Sequence, residues 1–145
     1  MLGERVVLHR NVVPCTPETF AELWALAESP HLSRQCAALQ RIAQDVRDRS
    51  GAGSIRLHFS TNGAASPLVP PTASTLYCYT FNAPGSPPLI TEARSTGSTA
   101  LWSAVVHSGD LLVCVGPRFG ASRITVTTPR AYCRGQRVFV HVTTP

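Results

Sequence analysis

Cys15 and His107 are the two side chains whose types and chain order could support nucleophilic catalysis. Cys15 stands just before a predicted helix, whose N-terminus would lower the pKa of the thiol and favour the reactive thiolate. His107 ends a later predicted strand, and a cysteine followed by a histidine is the order used by one class of cysteine proteases. Asp110 follows in a tight turn that needs no catalytic explanation. The pair supports one hypothesis, a cysteine protease or a related acyl-transfer enzyme.

Arginine and aromatic residues near the C-terminus form a second candidate site. All 13 basic residues are arginine, and residues 50–145 hold seven of them against two acids. If the valines of the last predicted strand face the core, residues 137, 139 and 141 lie on the opposite, outer face. Such a face can stack bases and contact phosphates. The candidate residues for RNA or polyanion binding are Arg118, Arg123, Arg130, Arg134, Arg137, Phe139 and His141. Alternatively, the arginines only keep the sheet and its loops soluble.

Motifs for metal, phosphate and glycoside chemistry are missing from the sequence. The five histidines have no short spacing to one another or to a cysteine of the kind that builds a tetrahedral metal site. No glycine-rich phosphate loop is present. Six of the eight acids lie in the first 49 residues, which leaves few carboxylates for paired acid and base catalysis. The sequence therefore predicts no metal site and no cofactor.

The cysteines, the N-terminal segment and the lengths of the apolar runs indicate the cellular compartment of the protein. The five cysteines form no C-x-x-C pair and their number is odd, which favours free thiols in a reducing environment. The N-terminal segment has a charged residue inside its apolar run and no small-residue cleavage site. The longest apolar runs are far shorter than the roughly 20 residues that span a bilayer. We expect an intracellular protein, in the cytoplasm or nucleus, without a cleaved signal and without membrane insertion.

Two amphipathic helices are predicted within residues 16–49. Thr16 is a good N-cap and Pro17 suits the first helical position. Apolar residues then recur at helical spacing until about residue 27, and a second stripe runs from about Leu32 to Arg49. Gly51 and Gly53 end the second helix. Each helix should place one face on the rest of the domain.

From Ser54 onward the apolar period changes to two, which predicts strands. The candidate strands span residues 5–13, 54–60, 74–82, 88–94, 99–107, 110–116, 122–128 and 136–143. Short glycine-bearing connections favour antiparallel hairpins. In the strand at 74–82 both alternating sets of residues are mostly apolar, which indicates burial between layers or subunits. The prediction is a mostly β, α+β chain, an antiparallel sandwich or jelly roll over about 54–144 with two leading helices, in one domain of residues 1–145.

These features favour a non-enzymatic binding or structural protein as the first functional hypothesis. A β-sandwich of capsid-like size with leading helices is typical of small viral proteins. Such a chain would act through a protein partner or through self-association. The RNA-binding and Cys15–His107 enzyme hypotheses remain as the two alternatives.

Overall fold

The fold is seen in a computed structural model, which describes residues 6–28, 36–61, 75–87, 89–94, 100–115, 125–127 and 136–144. The described residues form two helices and eight strands. In chain order these elements are β1 (Val6–His9), α1 (Pro17–Glu28), α2 (Ala37–Ser50), β2 (Arg56–Thr61), β3 (Thr75–Asn82), β4 (Leu89–Arg94), β5 (Ala100–Val106), β6 (Leu111–Val115), β7 (Thr125–Thr127) and β8 (Arg137–Thr144). The prediction of a mostly β chain with two leading helices is confirmed.

The strands form two antiparallel sheets. The five-stranded sheet has the order β1-β6-β3-β8-β2, and the three-stranded sheet has the order β5-β4-β7. Chain neighbours are therefore often not sheet neighbours, and β3, at the centre of the larger sheet, pairs with β6 and β8 along most of its length. This order places strands that are far apart in the sequence next to each other, for example β3 and β8.

One face of the five-stranded sheet packs against both helices. Residues of α1 and α2 that recur at helical spacing are buried against aromatic residues of β3 and the valines of β8. The buried members of this cluster are Val13, Phe20, Leu23, Leu26, Cys36, Ala38, Ile42, Val46, Tyr77, Tyr79, Phe81, Leu111, Val138, Val140 and Val142. The hydroxyl of Tyr79 donates a 2.5 Å hydrogen bond to Asp45 and so joins the sheet to α2.

The opposite face of the same sheet is also covered. Its buried cluster consists of Val6, Leu76, Cys78, Val106, Leu112, Cys114 and Phe139. Val106 belongs to β5 of the three-stranded sheet, so the second sheet contributes to the cover of this face. The expected burial of β3 on both of its faces is confirmed, with Leu76 and Cys78 on this side of the strand and Tyr77 and Tyr79 on the helical side.

The ends of the elements follow their local sequence. Thr16 caps α1 by accepting a 3.1 Å hydrogen bond from the Thr19 amide, and Pro17 is the first helical residue, as predicted. Gly51 ends α2 in the left-handed conformation with φ 70°, and its amide donates to the Arg47 carbonyl at 2.8 Å. The described part of α2 begins at Ala37 rather than near residue 32, and residues 29–35 lie outside the described ranges.

The first strand is shorter than the sequence predicts. It ends at His9 instead of continuing to Val13, because Asn11 adopts φ 49° and turns the chain out of the sheet. The amides of Val12 and Val13 then donate to the Gly109 carbonyl in the β5–β6 turn, at 2.9 and 3.2 Å. In the described part of the chain, no helix has the length and apolar character needed to cross a membrane.

Candidate functional site

A cavity of about 430 Å³ lies at the C-terminal end of the central strand β3, next to the start of α1. Three segments line it: residues 15–17 at the start of α1, residues 82–84 and 86 in the β3–β4 connection, and residues 107 and 108 in the β5–β6 turn. Its volume is within the range typical of small-molecule sites. Polar side chains of Asn82, Ser86 and Ser108 stand beside apolar atoms of Pro17 and Pro84. The walls can therefore take a small polar molecule.

A buried carboxylate fixes two of these segments to each other. Asp110 is 2% exposed, and its oxygens accept hydrogen bonds from the Arg10 guanidinium at 2.7 Å, the Asn11 amide at 2.8 Å and the His107 amide at 2.9 Å. Charge-assisted bonds of this kind are stronger than neutral ones. The segment before α1 and the β5–β6 turn are thereby held in one arrangement, which shapes the cavity between them.

Asn82 is the buried polar side chain of the cavity. It is 8% exposed, and its side-chain oxygen has no hydrogen-bond partner among the described residues. Its backbone amide donates to the Ser108 hydroxyl at 2.9 Å, so the residue is anchored through the main chain. A buried polar atom without a partner is destabilising by about 1–3 kcal/mol unless water or a ligand satisfies it. Asn82 therefore contributes a buried acceptor atom without a partner among the described residues to the wall of the cavity.

Arg137 lies directly opposite Asn82 in the β3–β8 pair and is 2% exposed. Residues that face each other in an antiparallel pair share one face of the sheet, and strand alternation puts Arg137 on the same face as Phe139. Its guanidinium donates a 2.5 Å hydrogen bond to the Pro87 carbonyl, and the neighbouring Gln136 amide donates to the Ser86 hydroxyl at 3.3 Å. A buried cation thus reaches the connection that lines the cavity.

Cys15 and His107 both line this cavity, as the enzyme hypothesis requires. The expected lowering of the thiol pKa is not found. Burial raises the pKa of Cys15, and a hydrogen bond with Ser108 only partly opposes this effect. The thiol lies 3.7 Å from the carbonyl oxygen of Thr16, to which it donates. At neutral pH the group is a thiol rather than a thiolate, which is the opposite of what a nucleophile requires.

We expect Cys15 to alkylate slowly in the folded protein. With iodoacetamide at pH 7.5, the rate at Cys15, followed by peptide mass spectrometry, should be at least about fivefold below its rate in urea, because partial burial raises the pKa of the thiol and so lowers its thiolate fraction in the folded protein. Cys78 is an internal control, since burial raises its pKa to about 12 and it should react only after unfolding. Equal folded and unfolded rates at Cys15 would show that the thiol is not protected.

The predicted polyanion surface is not an outer face where the structure describes it. Arg137 is 2% exposed and Phe139 is 5% exposed, and only His141 keeps partial exposure. The sequence pattern placed these residues correctly on the face opposite the valines, but that face is covered and not open to solvent. Arg118, Arg123, Arg130 and Arg134 lie outside the described residues.

The fold is similar to several solved structures, whereas the sequence matches no protein-family model and no curated protein. A prolyl-4-hydroxylase from Pseudomonas putida matches with a TM-score of 0.56 at 10% identity, over 95% of this chain and 85% of that one. HygX from Streptomyces hygroscopicus with nickel and 2-oxoglutarate bound matches with a TM-score of 0.52 at 11% identity, over 97% and 83%. Its iron-bound form gives 0.50 at 13% identity, over 97% and 82%. The chain shares their fold.

This likeness corrects the functional hypotheses drawn from the sequence. The interpretation as a non-enzymatic binding or structural protein is wrong, because the matching fold is that of a hydroxylase and of a protein seen with 2-oxoglutarate bound. The viral and RNA-binding interpretations are wrong for the same reason. The Cys15–His107 protease hypothesis is not supported either, because burial raises the pKa of the Cys15 thiol instead of lowering it.

The residues described here do not fit the iron found in one of the HygX structures. Non-haem iron oxygenases hold the metal with two histidines and one carboxylate. Among the described residues, no three His, Cys, Asp or Glu side chains come together as a metal-binding group. The carboxylate nearest the cavity, Asp110, is committed to Arg10 and two backbone amides.

The sequence analysis did not identify Asn82 and Ser108, and it predicted that Arg137 is exposed whereas it is buried. A signal for Arg137 was present, because it precedes a run in which every second residue is valine. That pattern fixes which face of the strand a residue is on, but not whether another layer covers the face. Asn82 gave no local signal, since a polar residue at the end of a strand is ordinary.

Proposed function

We propose that this chain is a jelly-roll enzyme of the 2-oxoglutarate-dependent oxygenase type and that Arg137 binds a carboxylate of its oxo-acid cosubstrate. The observation that carries the proposal is the burial of the Arg137 guanidinium between the sheets of a fold that is seen elsewhere with 2-oxoglutarate bound. A guanidinium presents its donors in a planar fork that matches a carboxylate, which a lysine ammonium cannot do.

The cavity provides the place for a second, polar substrate. It adjoins the β3–β4 connection that Arg137 reaches, and the buried side-chain oxygen of Asn82 there has no hydrogen-bond partner among the described residues. The described lining residues include no carboxylate, so none of them supplies a counter-charge for a cationic substrate. We infer that the substrate is neutral or anionic and carries an N–H or O–H group that Asn82 receives. Arg137 and Asn82 would bind and orient the oxo acid and the second substrate.

The test is 2-oxoglutarate binding, measured by calorimetry in the presence of EDTA. We expect the wild-type protein to bind 2-oxoglutarate without added metal, and the Arg137→Gln variant to bind at least about tenfold more weakly, because a charge-assisted hydrogen-bond pair is lost. Arg137→Lys should recover only part of the affinity, since the fork is missing.

Arg49→Gln is the matched control. Arg49 pairs with Asp45 at 3.0 Å near the end of α2, so its loss removes one positive charge without touching Arg137. Its affinity for 2-oxoglutarate should equal that of the wild type, and thermal denaturation verifies that each variant is folded. Wild-type protein that does not bind 2-oxoglutarate at millimolar concentration would contradict the proposal, as would a folded Arg137→Gln variant with unchanged affinity.

A further inference from the structure

His58 and His141 face each other across neighbouring strands. They are register partners in the β2–β8 pair, and their ring centroids are 6.5 Å apart with 31° between the ring planes. Directly opposite residues of an antiparallel pair lie on the same face, with Cβ atoms about 4.5–5.5 Å apart. His58 is exposed and His141 is partly buried, so the pair reaches from solvent into the sheet.

The pair consists of one exposed imidazole, His58, and one partly buried imidazole, His141. The Nε2 atom of His141 is buried and has no hydrogen-bond partner among the described residues. Burial lowers the pKa of His141 to about 4, and the nearby His58 adds to this effect. His141 is therefore neutral at physiological pH, which is the form that binds metal ions. Neither of the two ion pairs in the described ranges involves these residues.

We propose that His58 and His141 together bind one borderline divalent transition-metal ion, such as Ni²⁺ or Zn²⁺, with water completing the coordination. Metal–nitrogen bonds of about 2.0–2.1 Å place the centroids of two imidazoles roughly 4.5–5.2 Å apart when the angle at the metal is between a right angle and the tetrahedral angle. The 6.5 Å separation in this structure is about 1–2 Å longer. The exposed His58 ring must therefore rotate toward His141 when the metal binds.

Imidazole ligands select the metal class. They suit Zn²⁺, Ni²⁺ and Cu²⁺, whereas Mg²⁺ and Ca²⁺ require oxygen ligands. With two protein ligands instead of three, the site is distinct from a two-histidine, one-carboxylate iron centre. The inference does not depend on the proposed function, because neither Arg137 nor the cavity takes part in it.

The experiment uses untagged full-length protein and Ni²⁺ titrated by calorimetry. We expect one ion per chain, and at least about tenfold weaker binding in both His58→Gln and His141→Gln. His9→Gln is the control, since His9 lies in β1 at the opposite edge of the sheet, and its affinity should match the wild type. Mg²⁺ should give no specific heat.

A second readout locates the ion. Paramagnetic broadening by Ni²⁺ in a proton–nitrogen spectrum should be centred on the His58 and His141 rings. His58→Gln is the decisive variant, because the exposed position tolerates the change without loss of the fold. Unchanged Ni²⁺ affinity in folded His58→Gln protein, or broadening centred elsewhere, would overturn the proposal. 2-Oxoglutarate binding by the same variant should stay at the wild-type level, which separates this result from the test of Arg137.

Discussion

Replacing Gly109 with alanine should destabilise the protein by about 3 kcal/mol or more. Gly109 has φ 89°, a conformation in which a side chain is strained, and an added Cβ would lie 2.4 Å from the Val13 carbonyl oxygen. The amide of Val13 donates a hydrogen bond to the Gly109 carbonyl, so the Val13 backbone cannot move away without breaking this contact with the turn. The clash would separate the segment before α1 from the β5–β6 turn, which is the contact that shapes the cavity. Urea denaturation at constant pH measures the loss.

Gly85→Ala isolates the steric part of this effect. Gly85 has a similar φ of 83° in the β3–β4 connection, but an added Cβ would meet nothing within 4 Å. Its replacement should therefore cost only the backbone strain of about 1–2 kcal/mol. A clear gap between the two variants, with Gly109→Ala the less stable, is the expected result. Equal losses would mean that the close approach to Val13 does not determine stability.

Lowering the pH from 7 to 5 should reduce the free energy of unfolding by about 2 kcal/mol through His141 alone. Burial lowers the pKa of His141 from 6.5 to about 4 in the folded state. Between these two values the unfolded chain binds a proton that the folded protein does not, so protonation favours unfolding and stability rises with pH. The interval ends at pH 5 so that carboxylates with ordinary pKa values stay ionised.

The test is urea denaturation of wild type and of His141→Gln at pH 7 and pH 5. The variant cannot take up a proton at this position, so most of the acid sensitivity should disappear. Some should remain, because burial and the nearby Arg49 also lower the pKa of His9. If His141→Gln lost stability on acidification as steeply as the wild type, His141 would not be the group responsible.

The structure also explains why composition misled the functional interpretation. Thirteen arginines in a lysine-free chain suggest a surface for polyanions, and most arginines of globular proteins are indeed exposed. Among the described arginine side chains, Arg137 is the buried one, because its position opposite Asn82 puts it on a covered face. An arginine on a covered face is not accessible to a nucleic-acid backbone.

What the local sequence could predict is limited to features that depend on residues a few positions apart. The start of α1 at Thr16 and Pro17 and the end of α2 at Gly51 follow from capping chemistry. The alternation of β8 and the two-sided burial of β3 follow from side-chain periodicity. The caps and the alternation of β8 are confirmed because each depends on the backbone geometry of its own segment. The apolar residues on both faces of β3 indicated burial on both sides, but not which layers cover them.

The strand order was decided by the tertiary structure. The arrangement β1-β6-β3-β8-β2 brings Asn82 to Arg137 and His58 to His141, although the members of each pair are far apart in the chain. Covering by a second layer turned the supposed outer face of Arg137 and Phe139 into an interior one. Local periodicity fixes the face of a strand on which a residue lies, but its neighbours and its exposure depend on the layers that pack against that face.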